Sequence, residues 1–137
     1  RSTMATGIDI AWPPAALTDA ILERAREAIA ELKRLREFLD GDFYLLTPDG
    51  LGKDRWTVVQ FHREDVGEGV VLAFRPGEAP ERRRLRLNGA SRGSQYEVAF
   101  EDAGGKLLLN GDSLISGFEV DIASCPGSQL ISYRRVS

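Results

Sequence analysis

The sequence predicts a mainly β protein, an antiparallel β-sandwich of about eight strands preceded by one long amphipathic helix. Three observations carry that reading. The spacing of apolar residues changes at Gly41, from three and four residues before it to two after it. Glycine, proline, asparagine and aspartate then punctuate the chain every several residues. Finally, the second part shows no helical pattern that could serve as a crossover, which parallel strands would need. At 137 residues the chain has room for one domain, or one small domain with an appendage, and can bury a core without disulfide staples. Hydrophobic residues make up 42% and charged residues 28%, close to the globular average, which argues against wholesale disorder.

From Ala15 to Leu39 the residues Leu17, Ile21, Ala25, Ala28, Leu32, Leu35 and Leu39 line one stripe of a helix. Pro13 and Pro14 suit its first turn, where backbone N–H groups lack partners anyway. Asp40-Gly41 supplies the stop, with Gly41 expected at positive φ, and Asp40-Gly41-Asp42 should be a tight junction. Charged residues such as Glu23, Arg24, Glu27 and Arg34 mark the opposite, solvated face. After the junction, strands are expected at Phe43–Thr47, Trp56–Arg63, Gly69–Phe74, Arg83–Leu87, Tyr96–Glu101, Lys106–Leu109, Phe118–Ile122 and Gln129–Arg134. Turns fall at Pro48-Asp49-Gly50, Pro76-Gly77, Asn88-Gly89, Gly104-Gly105, Asn110-Gly111 and Pro126-Gly127. A sandwich can close its core from its own two inner faces. The helical stripe therefore needs a cover from elsewhere, most naturally from structure upstream of Arg1.

Lys and Arg total 18 against 21 Asp and Glu, a formal charge of −3, so no general field attracts nucleic acid or anionic lipid. No apolar run approaches the roughly 18 residues of a membrane-spanning helix. One cysteine, Cys125, excludes an internal disulfide, and one histidine with one cysteine cannot build a structural zinc site. His62 ends a strand on the side of Trp56, Val58 and Gln60, which suits a structural residue better than a catalytic base, since no nucleophile accompanies it. Cys125 precedes Pro126 in a turn without a basic neighbour and reads as an inert thiol. Asp40 with Asp42, and Glu64 with Asp65, are paired carboxylates in turns, where caps and solvated loops explain them. The run Glu81 to Leu87 alternates Arg83, Leu85 and Leu87 with Arg82, Arg84 and Arg86, an arginine ladder on a solvent face rather than a nucleic-acid site. Exposed rings such as Tyr44 or Tyr96 would instead indicate a carbohydrate-binding module, and the helix could serve an interaction adaptor. The opening Arg1-Ser2-Thr3-Met4-Ala5-Thr6-Gly7 has neither an initiator methionine nor the regions of a signal peptide. It reads as a piece of a longer polypeptide whose localisation is not legible.

Family likeness lies in the order of several short segments. Lys33 and Arg36 on the helix lead into Gly41-Asp42-Phe43-Tyr44-x-Leu46. Then come Trp56 to Phe61, Gly69 to Arg75, Leu85 to Gly89, Tyr96 to Val98, and Leu114 to Val120. This series resembles the C-terminal portion of melibiase-type α-galactosidases, the clan D glycoside hydrolases. The resemblance implies two domains, 1–40 as the last β/α unit of a truncated TIM barrel and 41–137 as the C-terminal β-sandwich. Arg1 to Gly7 would be the eighth barrel strand, whose sheet would cover the helical stripe. It also implies a parent enzyme that retains configuration, with an aspartate nucleophile and an aspartate acid/base on earlier barrel strands. Neither motif occurs here; Lys53-Asp54-Arg55-Trp56 lacks the Lys-x-Asp spacing. No catalytic, cofactor-binding or metal residue is carried over to this chain. The implied partners are the upstream barrel of the same polypeptide and a further copy in a homo-oligomer. Carbohydrate is met only through the parent, and neither nucleic acid nor membrane is expected.

Overall fold

The computed structural model describes residues 1, 4, 13–49 and 52–137. It divides into two compact units, Arg1–Asp40 and Gly41–Ser137. In the first, a 3-10 turn at Pro14–Ala16 precedes helix α1, Asp19–Leu39. The helix begins four residues later than the apolar stripe suggests, because Thr18 takes the N-cap and its hydroxyl accepts from the Ile21 N–H at 3.3 Å. Pro13 and Pro14 organise the preceding turn instead. Arg1 pairs with Glu31 at 2.8 Å. Leu35 is the buried residue of α1, and Ile21, Ala25, Ala28, Leu32 and Leu39 are half-buried. The expectation for Gly41 is not met. Asp40 caps the helix in the right-handed region, at φ −87° and ψ −3°, and Gly41 is not among the glycines with positive φ. The expected strand at Arg1–Gly7 falls mainly outside the described residues.

The second unit contains all eight expected strands. They are β1 Asp42–Leu45, β2 Thr57–Arg63, β3 Glu68–Arg75, β4 Arg82–Leu85, β5 Gln95–Phe100, β6 Lys106–Asn110, β7 Phe118–Asp121 and β8 Gly127–Arg135. One sheet has the order β1-β2-β3-β8-β5-β6 and the other pairs β4 with β7. Every pairing is antiparallel. Among the described residues the sandwich is thus lopsided, six strands against two.

A short helix, α2 at Gly111–Ser116, supplements the smaller layer. Asn110-Gly111 therefore opens a helix rather than a turn, with the Asn110 side chain accepting from the Ser113 N–H at 2.7 Å. Leu114 of α2 is fully buried, and the Leu87 N–H donates to its carbonyl at 2.8 Å. Alternation on the large sheet sends Trp56, Val58, Val71, Val98 and Ile131 into a core shared with Leu85, Leu114, Phe118 and Val120. Phe61, Val70, Leu72 and Leu130 lie on the other face of that sheet and are also buried.

Candidate functional site

One polar cluster interrupts the core. Pairing registers align Asp42 of β1, His62 of β2, Gly69 of β3, Tyr133 of β8 and Val98 of β5 in a single row across the sheet. Gly69 is the gap in that row. A Cβ there would lie 2.2 Å from Tyr133 Oη and 2.5 Å from the Phe61 carbonyl. Without one, the tyrosine ring crosses β3 and brings its hydroxyl to 2.9 Å from His62 Nδ1 and 2.6 Å from Gln60 Nε2. The His62 and Tyr133 rings are nearly parallel, 8° apart, with centroids separated by 5.9 Å.

Gln60, two residues before His62 on the same face, is anchored to the loop after β4. Its Nε2 donates to the Asn88 carbonyl at 2.8 Å, and its Oε1 accepts from the Asn88 N–H at 2.9 Å. Gly89 follows at φ +76° and lies against the imidazole, so that a Cβ would sit 2.3 Å from His62 Cδ2. This position requires glycine both for its backbone and for its proximity to the ring. Gln60, His62 and Tyr133 are all almost completely buried, and among the described residues His62 Nε2 meets no partner at full hydrogen-bond geometry, although the Gly89 backbone lies against it. Burial holds the His62 pKa below its ordinary value, against the pull of Asp42 and Glu64. Burial likewise pushes the Tyr133 hydroxyl up.

The other sequence-predicted positions make no hydrogen bond to this cluster, although Asp42, Glu64 and Asp65 lie near enough to act on His62 through charge. Glu64 and Asp65 occupy an exposed hairpin turn, where Asp65 takes a two-pronged ion pair from Arg63 at 2.7 and 3.2 Å. Cys125 is exposed, and its Sγ lies 2.7 Å from the Gly77 carbonyl. Arg82 and Arg84 stand opposite Asp121 and Glu119 in the β4–β7 register, at 2.6 and 3.9 Å, while Arg83 reaches Asp49 at 3.1 Å. The ladder is therefore a set of ion pairs rather than a bare basic field. Tyr96 is fully buried, with its hydroxyl accepting from the Ser91 N–H at 2.8 Å, and cannot stack on a sugar. Trp56 is equally buried and donates to the Pro80 carbonyl at 2.6 Å.

Acid/base work on a glycoside needs a carboxyl held protonated by its surroundings. Asp49, Asp65, Glu97 and Asp121 are all shifted the other way, each first by a hydrogen bond from Arg or Lys. Among the described residues no group of three His, Cys, Asp or Glu side chains gathers to hold a metal, and no helix is long and apolar enough to cross a membrane.

The described residues form a mainly β sandwich with a polar pin through its core. Its fold is that of the β-sandwich of α-galactosidases. The solved structures it matches include the GH36 α-galactosidase AgaA from Geobacillus stearothermophilus, at 27% identity and a TM-score of 0.68. A variant of AgaA in complex with 1-deoxygalactonojirimycin matches at 26% and 0.69. The galactosidase domain of an α-galactosidase-sucrose kinase, AgaSK, matches at 17% and 0.69, an identity that speaks for the fold alone. In each case 90% of this chain is covered, but only 17% of the other. The chain thus resembles the C-terminal portion of these larger polypeptides. No protein-family model matches it, and no curated protein does.

Proposed function

We propose that this chain is the non-catalytic C-terminal portion of an α-galactosidase-like retaining glycoside hydrolase. In this reading residues 1–40 are the last β/α unit of the catalytic barrel, and residues 41–137 pack against that barrel and contribute to subunit association. The observation that carries the proposal is the match of 90% of the chain to AgaA at 26–27% identity. Of the two rings singled out for stacking, Tyr96 is buried and Tyr44 is half-buried, which together with the burial of Trp56 favours packing over sugar stacking. Retaining hydrolysis needs two carboxyl groups about 5 to 5.5 Å apart, and the family's two motifs are missing from this sequence.

Assay of the pure 137-residue chain with an aryl α-galactoside should show no turnover, whereas the polypeptide extended upstream through a barrel should turn it over. Hydrolysis by the pure chain that survives contaminant controls would overturn the proposal. So would an extended polypeptide that folds and leaves α-galactosides intact.

A further inference from the structure

Proton positions in the core cluster follow from counting donors and acceptors. The two bonds to the Asn88 backbone fix the Gln60 amide: Oε1 faces the Asn88 N–H, so Nε2 faces both the Asn88 carbonyl and Tyr133 Oη. Each Nε2 hydrogen then has one acceptor, and Tyr133 Oη is one of them. The tyrosine hydroxyl hydrogen is left to point at His62 Nδ1, 2.9 Å away. With that bond made, Nδ1 is the acceptor and a neutral imidazole carries its hydrogen on Nε2. A second proton could enter only at Nδ1, where the Tyr133 hydrogen already sits.

We propose that Gln60, Tyr133 and His62 form an acid-sensitive latch: proton uptake at His62 Nδ1 ejects the Tyr133 hydroxyl hydrogen from its only acceptor and loosens the joint between β2, β8 and the Asn88-Gly89 loop. Tyr133 is 2% exposed and His62 1%, so neither the displaced hydrogen nor the new charge finds water without local opening. The groups facing the cluster do little to offset this. On β1 are Asp42, exposed to solvent, and Tyr44; in the β2–β3 turn are Glu64, also exposed, and Asp65, already paired with Arg63. On β3 the facing residue is Gly69, on β5 it is Tyr96, and the loop presents Asn88 and the backbone of Gly89. Burial lowers the affinity of His62 for a proton more than these carboxylates and the Gly89 backbone together raise it.

The sign of the pH effect follows from this. The folded pKa lies below the unfolded one, so between them the unfolded chain binds more protons, and stability falls as pH drops through about 6.5. The Arg- and Lys-paired carboxylates act at lower pH, because their unfolded values lie near 4.

Two measurements on the full chain decide the matter. Nitrogen-15 NMR should find the His62 ring neutral, with hydrogen on Nε2, at a pH where a free histidine is half charged. Urea unfolding at about pH 7.5 and about pH 5.5 should show the wild-type folding constant dropping several-fold more than that of His62→Gln, at tenfold per unit of pKa depression. A ring that titrates at or above its ordinary value, a hydrogen on Nδ1, or equal losses in the two proteins would each overturn the latch. If His62→Gln does not fold, the tautomer and titration of the wild type decide alone.

Discussion

Strand β2 contains two kinds of interior on one face. Val58, and Trp56 just before the strand, are packed among apolar side chains, whereas Gln60 and His62 are buried just as completely in a hydrogen-bonded row. The first half is stabilised mainly by area removed from water and by close packing. The second half gains little net from each bond but loses heavily when a partner goes missing, because the remaining group stays dry and unpaired. Equal burial therefore conceals unequal sensitivities. The apolar half responds to volume, and the polar half to single atoms and to protons.

Trp56→Ala should be the severest test of the apolar half, destabilising the chain by about 3 to 5 kcal/mol through lost transfer energy and the cavity left behind. Chemical denaturation measures it, and a cost under about 1 kcal/mol would mean that the core around Trp56 collapses freely. Tyr133→Phe removes one oxygen and almost no volume. It should still cost about 1 to 3 kcal/mol, since Gln60 Nε2 and His62 Nδ1 each lose a partner. Were it neutral in equilibrium unfolding, the polar half would behave like the apolar one, and the contrast would fail. Arg82→Ala deletes an exposed ion pair with Asp121 and should leave the melting temperature unchanged within error. A clear drop would show that the β4–β7 ladder acts as a network.

The strands were legible because a period of two and dense turn residues act locally. His62 was placed on the Trp56 face by the same alternation. Helix α2 was not legible, since six residues are too few to display a period and Asn110-Gly111 suits a turn as well as a cap. The start of α1 lies beyond the point the apolar stripe suggests because Pro13-Pro14 shape a 3-10 turn and the Thr18 hydroxyl caps the helix, a bond that composition does not display. The Gln60–Tyr133 bond joins residues 73 positions apart. It depends on the β3–β8 register and on the opening at Gly69, neither of which leaves a local signature. Gln60 on an inward-facing position was the visible hint, a polar residue where alternation calls for an apolar one.

Gly69 also limits how this sequence can drift. The space above its Cα is occupied by Tyr133 and bounded by the Phe61 carbonyl, so alanine at 69 requires the ring to leave and the β2 backbone to shift, and a smaller residue at 133 uncovers the glycine and strips His62 of its partner. Neither position can be altered profitably alone. The two substitutions should be epistatic, each harmful in the parent background and less harmful together than their separate costs would sum to.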